Sequence, residues 1–350
     1  MKVFKYILTL LVVFLISGYF LLQNHSVQNR LFENTVRALF QTDEIFMNDA
    51  LSVAVCGSRA PLPSPNRAET CLLVQAGTSK FIVDTGRGSA DNLQRWRVDY
   101  SNLEAVILSH LHSDHISDLH EVQFQSWLGG RKTPLSVIGP IGTASTAQGF
   151  EQAFKLDSIY RSEHHGTILP IEAYGYDVVE FEGDAKLIFE NEDTKITAFK
   201  VDHSPVDPSY AFKIEYKDRS IVLSGDTISL EVMTEYSKGV DVLFHDALAL
   251  PLIQEMERIS KELGNDVVSK VLFDIQDYHA NTIEVADIAK KAEVDLLVFY
   301  HLIPAPINYI SEQMFLRGVD EIFTNYHVSE DGTLVSLPAG SDEILIDLID

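Results

Sequence analysis

The stretch His110-Leu111-His112-Ser113-Asp114-His115 limits what this chain can fold into more than any other. It follows directly on residues 104–109, EAVILS, an apolar run that reads as a β-strand. Three imidazoles and a carboxylate within six residues are costly to keep for packing alone, because each buried polar group needs a partner. A loop at a strand end can instead turn all four toward two adjacent cations. Imidazole nitrogen and carboxylate oxygen suit zinc and its neighbours manganese and iron. Thiolates take no part in such a site: the chain holds two cysteines, Cys56 and Cys71, and no CxxC pair.

The sequence from residue 51 onward alternates short β-like runs with helical ones. LSVAVC, TCLLVQA and KFIVDT read as three strands, the last two joined by a turn at Gly77. PLSVIGP, ITAFKVDH, YAFKIEY and SIVLSGDT follow, and VDVLFHDA and VDLLVFYH complete the series. Between those last two, EVADIAKKA has helical spacing, with Val285, Ile288, Ala289 and Ala292 on one face. Strand runs on each side, with helices between, predict an α/β fold of two sheets sandwiched by helices. Residues 129–192 are expected to be the least regular part, an insertion or long loops over the site. Three further candidate ligands stand at strand ends: His203 in VDHSP, Asp226 in LSGDT and His301 in VFYHL.

The HxHxDH segment, followed in order by His203, Asp226 and His301, resembles the signature of the metallo-β-lactamase superfamily. The resemblance covers residues 51 to about 337. It implies an αββα sandwich whose metal site lies on loops at one edge. It also implies that His110, His112 and His203 bind a first metal, that Asp114, His115 and His301 bind a second, and that Asp226 bridges both. Two divalent ions are expected, Zn2+ foremost, with Mn2+ or Fe2+ as alternatives. Metals about 3.5–4 Å apart can share a hydroxide and lower its pKa toward neutrality. A monodentate carboxylate such as Asp226 can bridge two cations, which a neutral imidazole cannot. Asp114 is placed among the catalytic residues as well as the ligands.

Secondary motifs point to one branch of that superfamily. His279-Ala280-Asn281-Thr282, leading into EVADIAKKA, resembles the His-Ser-Thr segment of ribonuclease Z. The resemblance implies that His279 protonates the leaving group or stabilises charge, and Asn281 or Thr282 suits the helix N-cap better. His245-Asp246, in LFHDAL, is similar to the HEAT-type motif of the same branch, with Asp for Glu and Leu for Thr; it also reads as a satisfied buried pair. Asp84, in FIVDTGRG, is similar to an aspartate that orients a ligand histidine in this superfamily, and equally reads as a plain Asp-Thr-Gly turn. His164 and His165 lack a strand-end context and read as surface residues near the cleft.

CGSRAPLPSPNRAET and residues 109–127 resemble bacterial, exported relatives of ribonuclease Z, a set that includes arylsulfatases. The basic arm with which ribonuclease Z grips RNA has no counterpart among the scattered Arg131, Lys132, Lys155 and Arg161. The expected function is metal-dependent hydrolysis of a small anionic ester, a phosphodiester or an aryl sulfate, by a metal-bridging hydroxide. A ribonuclease Z-like endoribonuclease is the competing enzyme. A membrane-tethered binding protein with a vestigial metal site is the reading from another class, and the presence of all seven candidate ligands disfavours it.

Residues 6–22 carry no charge and, at about 1.5 Å per residue, span roughly 25 Å, just short of a hydrocarbon core. Lys2 and Lys5 precede them and no A-x-A cleavage pattern follows, which favours an uncleaved anchor over a removed signal segment. The expected division is a membrane segment at 1–25, an amphipathic linker at 26–47 and a hydrolase domain at 48–350. The flanking lysines place the catalytic domain outside the cytoplasm of a bacterial cell. Lys and Arg number 27 against 51 Asp and Glu, a formal charge of −24. Such a chain repels nucleic acid unless a local basic patch intervenes, so a small anionic ester is the expected partner, with the membrane as the other. A homodimer is compatible with the sequence. Cys56 and Cys71 flank a Pro-rich turn and read either as a disulfide or as two buried thiols.

Overall fold

β-Branched and aromatic residues concentrate in short runs along the chain, and these runs become its strands. The computed structural model describes residues 2–41 and 45–349. Met1, residues 42–44 of the expected linker and Asp350 lie outside the described residues. The first strands are β1 (Ala50–Gly57), β2 (Cys71–Ala76), β3 (Ser79–Val83), β4 (Leu103–Ile107) and β5 (Leu135–Pro140). Next come β6 (Tyr176–Phe181), β7 (Ala185–Glu190), β8 (Thr194–His203), β9 (Val206–Tyr216) and β10 (Arg219–Leu223). The last are β11 (Val242–Leu248), β12 (Leu296–Ile303), β13 (Tyr326–Val328), β14 (Thr333–Pro338) and β15 (Leu345–Leu348).

They form two sheets, one in the order β15-β14-β1-β2-β3-β4-β5-β6 and one in the order β13-β12-β11-β10-β9-β8-β7. Val53, Val74, Phe81 and Ile107 of the first sheet meet Ile196, Phe212, Phe244 and Val298 of the second in one buried core. The outer face of the first sheet is covered by helices Ser89–Arg95 and Leu119–Leu128, through Leu93, Leu119 and Val122. Helix Thr282–Ala292 covers the second sheet with the expected stripe of Val285, Ile288, Ala289 and Ala292. The layers are therefore helix, sheet, sheet, helix. β11 and β12 lie in the middle of this stack and are buried along their whole length, which explains their unbroken apolar character.

Each sheet is parallel on one side, β3-β4-β5-β6 in the first and β10-β11-β12-β13 in the second. Parallel strands end together, so the residues just past β3, β4 and β10 and those near the end of β12 gather on one edge. That edge carries Asp84, the HxHxDH loop, Asp226 and His301. Ligands bind outside the carboxyl ends of strands in open α/β sheets for this same geometric reason.

Residues 129–192 depart from expectation. They are regular, holding β5, β6, β7 and the long helix Thr143–His165. The helix carries few buried residues and no apolar stripe, and β6 and β7 are half-exposed edge strands of different sheets. Neither feature leaves the periodic signature that marks a buried element. His164 and His165 close the helix on the exposed surface.

Cys56 and Cys71 are joined in a disulfide that links β1 to β2 and closes the loop between them. The loop returns against the site edge, where Arg59 bridges both Glu69 and Leu302. The chain divides into two compact units, Met1–Asp43 and Glu44–Asp350. In the first, helix Lys2–Leu22 contains Phe4–Leu22, long and apolar enough to cross a membrane by length and composition. A second helix, His25–Leu39, is capped by the Asn24 side chain, which accepts from the Ser26 and Val27 amides.

Candidate metal centre

The centre is built by backbone features that aim side chains inward. β12 pairs with β11 up to Tyr300↔Asp246 and resumes at Leu302↔Ala247, so His301 is the extra residue of a bulge. It adopts φ +43, and Asp84 adopts φ +59. Non-glycine residues in that region cost on the order of 1–3 kcal/mol and mark functional sites. Gly225, at φ +59, lies where a Cβ would stand 2.5 Å from the Tyr210 carbonyl oxygen, so glycine alone lets the chain turn Asp226 inward. Gly86 is equally constrained, because its Cβ would meet the Asp114 carbonyl oxygen at 2.3 Å.

Asp226 sits at the middle. Its Oδ2 lies 3.2 Å from the Nε2 atoms of His115 and His301, 3.7 Å from that of His203 and 3.8 Å from that of His110. His203 Nε2 is 3.3 Å from His112 Nδ1, and Asp114 Oδ2 is 3.3 Å from His301 Nε2. Three groups of potential ligands share Asp226: His110, His112 and His203 with it, Asp114, His115 and His301 with it, and Asp246, His279 and His301 with it; the first two hold the expected ligands. Within each, the donor atoms all lie within 4.8 Å of one another. The seven residues expected to be ligands are thus brought together in the expected grouping.

These residues fit divalent cations. His110 Nε2 and Asp226 Oδ1 are buried and have no hydrogen-bond partner among the described residues, an arrangement that costs free energy unless a further group engages them. Burial pushes His110 well below the usual imidazole range, and His112 and His203 follow, which leaves them neutral as ligands must be. Burial works against charge on Asp226 and Asp114 too, but the surrounding imidazoles outweigh it. Asp226 is held well below the carboxylate range and Asp114 at about 2. At His115 burial is outweighed by Asp226, Asp84 and Asp114, which hold it well above its usual range. The cluster around His115 demands positive charge, and a divalent cation can supply it in place of a proton.

Several neighbours fix the ligands. Asp84 Oδ2 accepts from His115 Nδ1 at 2.8 Å and from the Ser109 hydroxyl at 2.7 Å, while its Oδ1 accepts from the Ser109 amide. That holds His115 with Nε2 toward the centre. His203 Nδ1 donates to the Tyr278 carbonyl at 2.9 Å with the same result. His279 is buried beside the centre, and its Nδ1 donates to Asp246 Oδ2 at 2.8 Å. His245 touches Asp246 rather than the ligands, with Nδ1 2.8 Å from the Asp246 carbonyl oxygen and 3.0 Å from Oδ1. Asn281 is the N-cap of the next helix, in a capping box with Glu284.

A family model described as "Anti-Pycsar protein Apyc1" matches residues 57–256. Ribonuclease Z of Mycobacterium bovis (strain BCG / Pasteur 1173P2) is 34% identical over 261 residues, covering 73% of this chain and 87% of that protein. The chain belongs to the Apyc1 family, among the ribonuclease Z-like metallo-β-lactamase hydrolases. Ribonuclease Z of Mycolicibacterium paratuberculosis (strain ATCC BAA-968 / K-10) is 32% identical over 83% of this chain and all of its own length. The superfamily fold recurs in the metallo-β-lactamase fold protein YhfI of Bacillus subtilis, with a TM-score of 0.60 and 21% identity over 82% of this chain and 100% of its own. The short form of human tRNase Z follows at 0.58 and 19% over 82% and 99%. The chain is a metal-dependent hydrolase of this superfamily.

Sequence reasoning did not single out Ser109, Gly86 or Tyr278. Ser109 and Tyr278 each precede a marked histidine, and adjacency is the signal that could have found them. Tyr278 acts on His203 through its main chain, which no residue type announces.

Proposed function

We propose that this chain is a phosphodiesterase that hydrolyses a compact phosphodiester with two divalent cations, zinc by the character of the donor set. The observation that carries this reading is Asp226, shared by the two clusters of expected ligands, with His279, anchored by Asp246, in a third group beside them. Cations held there would neutralise charge on the phosphoryl oxygens and acidify the attacking water toward neutral pH. The chain's own residues do the rest. Asp226 and Asp114 keep the ligand set anionic. The Asp246 carboxylate is buried yet held below its usual range by its two histidine partners, His245 and His279, and it accepts the His279 Nδ1–H, which fixes the orientation of that ring. With Nδ1 committed to Asp246, His279 is placed to act through Nε2 as the general acid toward the departing oxygen.

The name ribonuclease Z denotes cleavage of a phosphodiester, which supports phosphorus over sulfur as the reacting centre. The same relatives support a second reading, RNA cleavage, since 87% of one such protein is matched. The charge of −24 favours a small substrate, because a polyanion needs a basic track and one compact anionic group needs only the cations. The full chain, assayed with bis(p-nitrophenyl) phosphate, p-nitrophenyl sulfate and a precursor transfer RNA, tests these readings together. Turnover of the diester above the other two is expected; faster cutting of the RNA overturns the small-substrate half, and a preference for the sulfate overturns both. Elemental analysis of the same sample should give about two cations per chain.

The location forms part of the proposal. Phe4–Leu22 anchors the chain, and the catalytic unit lies outside the cytoplasm, a reading supported by Lys2 and Lys5 ahead of the apolar helix. The Cys56–Cys71 disulfide supports it also, since such bonds persist in oxidising compartments. Alkaline phosphatase fused after Asp350 should be active; an inactive fusion beside a fluorescent cytoplasmic reporter would refute export.

A further inference from the structure

The apolar helix Lys2–Leu22 is followed at once by the helix His25–Leu39, and the corner between them is built rather than loose. Gln23 and Asn24 alone separate the two. The Asn24 amide donates to the Leu21 carbonyl at 3.1 Å, and its side chain accepts from the Ser26 and Val27 amides. Gln28 Nε2 reaches back to the Leu22 carbonyl at 2.9 Å, so an acceptor left over at the end of one helix is taken up by the first turn of the next. Whatever surrounds the end of the first helix therefore meets the start of the second.

At about 100° per residue, Val27, Leu31, Phe32 and Val36 fall on one side of the second helix, and its charged residues Arg30, Glu33 and Arg37 fall on the other. Two polar residues, Gln28 and Thr35, interrupt the apolar side, and each sends its donor to a main-chain carbonyl. Gln28 uses that of Leu22, and the Thr35 hydroxyl donates to that of Leu31 at 3.0 Å. Polar groups satisfied in this way can enter an apolar medium at low cost. Phe32 is nonetheless 71% exposed and Leu31 51%. A helix of 15 residues is marginal in water alone, so its apolar side needs a cover.

We propose that the helix His25–Leu39 lies along the surface of the membrane that the first helix enters, with Leu31 and Phe32 among the upper acyl chains and Arg30, Glu33 and Arg37 toward water. The partner is a phospholipid interface, within reach because the apolar helix ends two residues before. Glu33 and Arg37 pair at 2.7 Å on the water side, so apolar burial rather than anionic lipid supplies the attachment. This rests on the anchor reading above and goes beyond it: the chain leaves the bilayer from a helix laid on its surface, not from the end of a span.

The test uses the full chain reconstituted in phosphatidylcholine vesicles, with a reporter tryptophan introduced by Phe32→Trp or, on the opposite side, by Arg30→Trp. The natural Trp96 and Trp127 are buried in the second unit, and the natural chain supplies their signal for subtraction. Lipid brominated near the glycerol end of its acyl chains should quench Phe32→Trp at least about threefold more than Arg30→Trp, and lipid brominated near the methyl end should quench it less. Amide exchange gives a readout free of tryptophan. Across residues 25–39 it should be about tenfold faster when Leu31→Ser and Phe32→Ser are combined, with the second unit unchanged. Equal quenching at the two positions, or exchange that the paired serines leave unaltered, would overturn the proposal. So would a Phe32→Trp reporter shielded from brominated lipid and aqueous iodide alike, because a protein surface would then cover this face. Release of the natural chain by alkaline carbonate refutes the anchor instead, and quenching of Phe32→Trp by the same vesicles still decides whether the second helix holds the interface.

Discussion

The first ligand cluster, His110, His112 and His203, faces Asp226 with three imidazoles that burial keeps neutral, whereas the second carries a carboxylate of its own, Asp114. Their supports differ in the same sense. His203 is oriented by a neutral main-chain carbonyl, and His115 by the buried carboxylate of Asp84. Near the second position the negative charge of Asp84, Asp114 and Asp226 raises His115, and that of Asp226 and Asp114 raises His301 against the effect of burial. Cations held here would meet more negative charge at the second position than at the first, so the first is expected to be the more readily emptied. Two sites that share a bridge need not share an affinity, and the difference lies in the groups behind the ligands as much as in the ligands.

The most severe way to break this contrast is Asp226→Ala, which removes the bridge from both positions at once. Activity should fall on the order of 10³-fold or more, with both cations lost on elemental analysis; retention of either cation would show that the positions are independent. Next comes His279→Ala, which should lower turnover by about 10²–10⁴-fold while both cations remain. The loss should shrink for nitrophenolate, a weakly basic leaving group, and an equal loss for a poor leaving group would make His279 a positioning residue. Asp84→Asn sharpens the contrast directly. It should weaken the second position by about 10–100-fold and leave the first near its original affinity, measured by stepwise chelation. Equal weakening of both positions would remove the distinction.

The smallest expected effect is that of pH. A raised pKa means that His115 and His301 take up protons at higher pH than an ordinary histidine, so protons displace a cation there earlier as pH falls. The first cluster, with lowered pKa values, should hold its histidines unprotonated further into the acid range. Acidification from about pH 8 to 6 should thus narrow the affinity gap between the positions, as a spectroscopic cobalt titration would register. A gap that widens would mean that some other group controls the second position.

Much of this was legible before any coordinate. The HxHxDH segment, His203, Asp226 and His301 stand at strand ends because parallel strands deliver their carboxyl ends to one edge, and period-two and period-3.6 patterns mark those strands and the helix Thr282–Ala292. Asp84 and Asp246 were marked as open alternatives, and their partners, His115 and His279, emerge only when the sheets are placed together. The region from 129 to 192 is not legible as regular structure, because an exposed helix and two sheet edges have no buried stripe to advertise them. The support of His203 by the Tyr278 carbonyl was out of reach altogether, since a main-chain oxygen is present at every residue.

The ligands come from both sheets, the HxHxDH loop from the end of β4 and the others from β8, β10 and β12. Those at 110 and at 301 stand far apart along the chain, and nothing local brings them near each other. A partly made or unfolded chain offers no complete cluster, so cations can settle only after the two sheets have closed on one another. A centre of this kind would act as a check on assembly, because the groups that would take the cations come together only with the last long-range pairing. A cation captured at that moment would add its binding free energy to the finished state rather than to an earlier one.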